Sequence, residues 1–231
     1  MKQNKLMAIA AAVGLWAVAA SGQTVTNNFF FAANQAVPEG DLNGLALSAN
    51  LSGMSGEMTN VSVTLNVSGG FNGDLYAYLV HDTGFAVLLN RVGMSSSNSF
   101  GYADAGFSSV VFNDAASGGD IHFYGGNGGL ALSGTYQPDG RTVNPVTPPP
   151  GSYDTAPRDA MLSSFQGVSP DGTWTLFVAD LSAGAQSTLV SWDVQIVDVP
   201  EPATWALAAL GAWLVTLGRA RWRGFRPVEK A

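Results

Sequence analysis

Apolar and polar residues alternate with a period of two through much of the middle of this chain. "NVSVTLNV" puts Val61, Val63, Leu65 and Val67 on one side and Ser62, Thr64 and Asn66 on the other, the signature of a half-buried strand. "DLYAYLVH" follows after "SGGFNG", and a glycine-rich turn between two such runs predicts a hairpin. "FAVLLN", "SSVVFND", "DIHFY", "GTWTLFVAD" and "TLVSWDVQIVDV" continue the series, and in the last of them Trp192, Val194 and Ile196 share one face. Between Asn28 and Val199 no 12-residue stretch has convincing helical periodicity, although "RDAMLSSF" has room for one turn. Short apolar runs separated by Gly and Asp/Asn turns predict an all-β fold, an antiparallel β-sandwich or jelly roll.

Two stretches interrupt the pattern. "GGNGG" at Gly125–Gly129 is too flexible for a strand interior. Residues 138–157, "PDGRTVNPVTPPPGSYDTAP", hold six prolines and little to bury, which predicts a long surface loop. The strands after this loop number only two, too few to enclose a core alone, so a second domain is not expected.

The two ends have a different character. "MKQNKLMAIAAAVGLWAVAASGQ" has a short basic start, an apolar run and small residues around Ala20 and Gly22. It reads as a secretory signal peptide over residues 1–22, cleaved near Ala20 or Gly22. At the other end, Pro200, Glu201 and Pro202 precede 16 uncharged residues, 203–218, and then an arginine-rich tail, 219–226. A helix of that length reaches roughly 24 Å, short of the ~30 Å hydrocarbon core. Flanking tryptophans and snorkelling arginines make a single transmembrane helix feasible. Lysines before the first apolar run and arginines after the second place both flanks in the cytoplasm and the middle outside. "VPEP", a short apolar helix and a basic tail, in that order, resemble the PEP-CTERM sorting signal of Gram-negative bacteria. That resemblance implies an exosortase-type processing enzyme as partner, a membrane-tethered precursor, and release to the cell surface or exopolysaccharide matrix.

Charge sharpens this organisation. Residues 21–199 contain three basic residues (Arg91, Arg141, Arg158) and fifteen acidic ones, a balance of 3 − 15 = −12. Nucleic acid is excluded as a partner, because phosphates would be repelled. Charged residues are 12% of the whole chain, roughly half the usual share. There is no cysteine, so disulfides, thiolate metal sites and cysteine nucleophiles are all excluded.

No catalytic constellation emerges. His81 and His122 are the only histidines, and no G-x-S-x-G occurs, so nothing points to a Ser/His/Asp set. Two histidines also make a poor zinc site. No cofactor is implied, and calcium is the one inorganic ligand with plausible donors. Asp74, Asp104, Asp114, Asp120 and Asp180 all fall at strand ends, where carboxylates and carbonyls can supply hard oxygen ligands. The same residues can instead cap turns. Arg91 in "LLNRVG" is expected to pair with one of these carboxylates. Trp174 and Trp192 fall on apolar faces and are expected in the core. Tyr76 and Tyr78 alternate with Leu75, Ala77 and Leu79, and on a solvent-facing surface they would form a platform for sugars.

The order of segments carries a second resemblance. "VSVTLNVSGGFNGDLYAYLV", "LLNRVG", "FNDAA", "GTYQPDG", "LSSFQGVSPDGTWTLFVAD" and "GAQSTLVSWDVQI" together resemble the P domain (Homo B domain) of subtilisin-like proprotein convertases over about residues 38–198. The resemblance implies a jelly-roll sandwich for residues 23–199. It also implies an accessory role beside a separate secreted protease, without catalysis of its own. The expected role is therefore a non-catalytic exported domain in adhesion or matrix association. The alternatives are an accessory domain docking on a secreted subtilisin-like protease, or a carbohydrate- or calcium-binding module.

Overall fold

The structure, a computed structural model, describes residues 23–199 together with Ala212 and Trp213. The signal peptide with Ala20 and Gly22, the Pro200–Glu201–Pro202 motif and, apart from those two residues, the apolar helix and basic tail lie outside the described residues. Among the described residues no helix is long and apolar enough to cross a membrane. Gln23–Glu201 forms one compact unit.

The described residues form nine strands: β1 (Val25–Ala36), β2 (Leu45–Leu51), β3 (Glu57–Gly69), β4 (Leu75–His81), β5 (Gly84–Asn90), β6 (Gly106–Phe112), β7 (Leu132–Tyr136), β8 (Gly172–Asp180) and β9 (Ser187–Val199). Between residues 23 and 199 the one α-helix, α1 (Ser152–Thr155), is a single turn. The strands build a five-stranded sheet in the order β1-β9-β3-β6-β7 and a four-stranded sheet in the order β2-β8-β4-β5. The period-two pattern turns one face of each sheet inward. Leu65, Val194, Ile196 and Trp192 from one sheet join Leu75, Leu79, Trp174 and Leu176 from the other in a single buried cluster. Trp174 and Trp192 are core residues, as their positions in the pattern predicted, and Trp174 donates its indole N–H to the Pro170 carbonyl at 3.0 Å.

Several local expectations change. β3 and β4 do not form a hairpin, because they belong to different sheets. "SGGFNG" crosses the sandwich instead: Gly69 and Gly70 both have positive φ, and a Cβ on Gly70 would overlap the Ser187 hydroxyl. The hairpin in this region is β4–β5, closed by Asp82 and Thr83 with His81 opposite Gly84. "DIHFY" is a 3-10 turn at Ile121–Phe123, with Asp120 accepting from the His122 amide. The alternation of Ile121 and Phe123 was too short to distinguish a turn from a strand. β6 and β7 run parallel, while the other paired strands are antiparallel.

Residues ahead of position 38 contribute a strand of their own. β1 pairs antiparallel with β9, and its alternate residues Phe29, Phe31 and Ala33 pack against the core. Phe31 stacks on Trp192 with ring centroids 4.4 Å apart. β1 thus covers an indole that would otherwise lie at the open side of β9.

The proline-rich loop is also less free than its composition predicted. Asp139, Gly140, Arg141 and Tyr153 are buried. The loop lines the free edge of β5, where Gly140 donates to the Val87 carbonyl and Val87 donates to that of Ala160. An exposed sheet edge is thereby covered. Around it a network of charged and polar side chains closes. Arg141 reaches Asp120 at 2.6 Å and Asp139 at 3.2 Å, and His122 Nδ1 lies 2.6 Å from Asp139. Arg158 adds a contact to Asp120 at 3.6 Å and hydrogen bonds to Pro138, Gln137 and Asp139. Charges this deep persist because each is paired and hydrogen-bonded.

Candidate ligand-binding surfaces

The five carboxylates considered for calcium are spread over the molecule and each has a protein partner. Asp104, 3% exposed, accepts from the Tyr124 hydroxyl and from the amides of Asn127 and Gly129, all at 2.7 Å. It holds the "GGNGG" loop down. Asp114 caps the 3-10 turn at Leu162–Phe165 by accepting from the Leu162 and Ser163 amides. Asp120 belongs to the network around Arg141. Asp180 accepts from the Ser187 hydroxyl at 2.8 Å. Burial raises its pKa above the ordinary carboxylate range, and the charges of Asp74 and Glu39 add to that. Asp74 meets Arg91 at 3.5 Å, the pairing expected from the sequence. Among the described residues no three His, Cys, Asp or Glu side chains converge into a metal-binding group. Of the five, Asp120 and Asp180 accept from the backbone amide two residues on, as turn residues do; the other three are held by partners distant in the chain.

Both histidines are enclosed. His81 stacks flat on Trp174 at 4.2 Å, and its ring nitrogens face the carbonyls of Thr173 and Ser169. His122 is fully buried, between Asp139 and the Met94 carbonyl at 2.8 Å. A histidine–carboxylate pair is two thirds of a hydrolytic triad. In this case the second ring nitrogen faces a carbonyl rather than a nucleophile, so the pair has no serine to activate.

The tyrosines do face outward. Inward positions on β4 are occupied by Leu75, Ala77 and Leu79, all fully buried, which leaves Tyr76 and Tyr78 half-buried on the outer face of the four-stranded sheet. Two residues that the sequence had not singled out join them, Phe177 from β8 and Phe85 from β5. Tyr78 stacks on Phe177 at 4.7 Å and lies 5.4 Å from Phe85, while Tyr76 lies 5.7 Å from Tyr78. The register explains the grouping, since Tyr78 sits opposite Phe177 on one side and Phe85 is opposite Val80 on the other. The Ser48 and Thr175 hydroxyls, bonded to each other at 2.8 Å, continue the same face towards β2. Among the described residues neither tyrosine hydroxyl has a hydrogen-bond partner. Burial raises the Tyr76 phenol above its usual value, with the neighbouring Tyr78 and Asp139 contributing, so it is a hydrogen-bond donor throughout the neutral range.

A second concavity, of about 340 Å³, opens at one end of the sandwich between three loops. Phe71 and Phe100, 41% and 81% exposed, flank it together with Tyr102, Asp74 and Ser182. Its floor is preformed: Gly73 donates to the Tyr102 carbonyl at 2.8 Å, and a Cβ on Gly73 would clash with the backbone of residues 100–102. The signal in the sequence was a phenylalanine in each of two glycine-containing turns, "GGFNG" and "SNSFGY", where local structure has nothing to bury it against.

No family model matches the chain, and no curated protein does. Among solved structures it is similar to the serine protease of Aeromonas sobria, in the crystal structure of that protease and in its complex with a chaperone. In both the TM-score is 0.43 at 13% identity, and the match covers 76–77% of this chain but 27% of the other. The chain therefore spans about a quarter of the length of the protein it matches, and a likeness at this level assigns no function.

Proposed function

We propose that this chain is an exported, non-catalytic binding module that associates with polysaccharide at the cell surface or in the exopolysaccharide matrix. One observation carries the reading: a sheet face with four clustered aromatic rings, two of them ending in hydroxyls with no hydrogen-bond partner among the described residues. Sugar rings offer apolar C–H surface and hydroxyls side by side. Tyrosine is matched to both, with an apolar body and a polar tip. An uncharged polymer also tolerates the acidic surface of residues 21–199, as a nucleic acid or polyanion does not. The sorting signal read from Pro200–Glu201–Pro202 and the following helix supplies the route outward through an exosortase-type enzyme.

The purified domain, residues 23–199, migrates more slowly in native gels that contain the producing organism's exopolysaccharide. Replacing Tyr76 and Tyr78 together by alanine removes two contacts of about 0.5–1.5 kcal/mol each. The apparent Kd rises roughly five- to 150-fold, with the circular dichroism spectrum unchanged. Retardation that survives the double substitution overturns the assignment of this face. An unretarded domain that instead recovers one secreted subtilisin-like protease in stoichiometric amount would establish the accessory-domain alternative.

A further inference from the structure

The two sheets have four edges, and they are not equally protected. β5 is covered by the proline-rich loop. β7 is five residues long and contains a glycine. β1 and β2 remain as edge strands, and β1 is the longer by five residues. Proteins blunt such edges with lysine, proline, bulges or short strands. β1, "VTNNFFFAANQA", contains no charge, no proline and no glycine. A bulge interrupts it only between Ala32 and Gln35, where Asn34 has φ of 50°. Val25–Ala32 is therefore eight regular residues with one row of backbone groups pointing away from the sheet. It also carries the exposed side chains of Val25 and Phe30, the latter 64% accessible. β2, by contrast, turns out only Ala46, Ser48 and Asn50.

We propose that β1 is a self-association edge: two copies of the chain pair antiparallel along Val25–Ala32, continuing the five-stranded sheet across a two-fold axis. A second copy is the occupant that the chemistry favours. Antiparallel pairing of a strand with itself matches every donor to an acceptor by symmetry. The side-chain amide of Asn27 donates to Asp198 and that of Asn28 accepts from Gln195, and each keeps donor and acceptor capacity for a further bond. Charge points the same way. Outside β1 the domain is strongly acidic, with a balance of −12 over residues 21–199, so two copies repel on most approaches. β1 offers an uncharged line of contact with no counter-charge for a basic or acidic segment. Phe30 of each copy loses its exposed face against the other strand. Eight residues span roughly 26 Å of strand, a contact at the small end for protein interfaces. The association is accordingly weak, with a Kd on the order of 10–100 μM.

Sedimentation velocity of residues 23–199, a unit that encloses its own core, tests this between 5 and about 300 μM. The expected result is a concentration-dependent shift from monomer to dimer. Phe30→Lys and Ala32→Lys, separately, each abolish the shift without lowering the thermal midpoint. Both lysines reduce the net negative charge, so generalised repulsion falls and cannot explain a loss of association. Ser48→Lys on the β2 edge leaves dimerisation intact. A wild-type domain that is monomeric at 300 μM, a dimer indifferent to both β1 lysines, or a dimer lost in Ser48→Lys would each overturn the proposal.

Discussion

Asp104 shows how much a single side chain organises here. It is nearly inaccessible, and its two oxygens receive three hydrogen bonds from the end of a 3-10 turn and a glycine loop 20 to 25 residues further along. Hydrogen bonds to a charged acceptor contribute about 1.5–3 kcal/mol each, and an orphaned buried donor costs more than a solvated one. Asp104→Asn keeps the volume but points an NH₂ group at amide donors. We expect it to lower the unfolding free energy by about 2–4 kcal/mol in urea titrations; a change below about 1 kcal/mol would mean that the "GGNGG" loop is held by something else. From the sequence, Asp104 was one of five equivalent-looking aspartates. Its neighbours Ala103 and Ala105 contain no hint of Tyr124 or Gly129, because that contact is made by the fold rather than the local chain.

At the scale of elements, strands were far more legible than connections. β8 and β9 appear in the sequence almost residue for residue, and β3 through its central part, since a buried face and a polar face force period two. Pairing was not legible. β3 and β4 look like a hairpin locally, and only the crossing of the chain at Gly69 and Gly70 separates them into two sheets. The loops have their own fastening, with phenols as its pins. Tyr153 donates to Asn90 across the proline-rich loop at 3.0 Å, and Tyr124 donates to Asp104. Burial drives both phenols well above the usual tyrosine range; Arg91 partly offsets this at Tyr153, and Asn72 does so at Tyr124. The sign follows directly. A phenol whose pKa is higher in the folded state than its unfolded value of about 10 contributes stability that is complete below pH ~10 and is lost as pH rises beyond it. Between pH 10 and 12 the domain should therefore lose stability, with part of its tyrosinate absorbance appearing only as the fold opens. Tyr124→Phe and Tyr153→Phe each remove one such component. Full tyrosinate absorbance developing near pH 10 with the native circular dichroism intact would refute the pinning role.

The whole molecule joins a well-enclosed sandwich to ends written in a different language. Inside, the three arginines of the acidic middle are all committed to carboxylates, leaving a surface whose excess charge is negative. Outside the described residues, Pro200–Glu201–Pro202 follows directly on β9. Neither a strand interior nor a helix interior accepts proline, so the motif separates the last strand from whatever follows. If it is also the processing mark of an exosortase-type system, replacing the three residues by alanine leaves full-length chain in the inner-membrane fraction. Immunoblots of membrane and culture supernatant read this directly, and unchanged release would remove the motif from the sorting route.

What the sequence by itself determined were the features governed by local periodicity and composition. Strand runs, the two core tryptophans, the shared face of Tyr76 and Tyr78, the absence of thiol chemistry and the division between an acidic middle and basic ends are all of this kind. Each depends on residues within a few positions of one another or on a simple count. The tertiary structure decided everything that depends on which distant segments meet. It placed Phe85 and Phe177 beside the two tyrosines, gathered Asp120, His122, Asp139, Arg141 and Arg158 into one buried network, gathered Phe71 and Phe100 around a cleft, and set β1 at an open edge. Sheet order is chosen by the packing of two apolar faces over the whole chain. No window of ten residues contains that information.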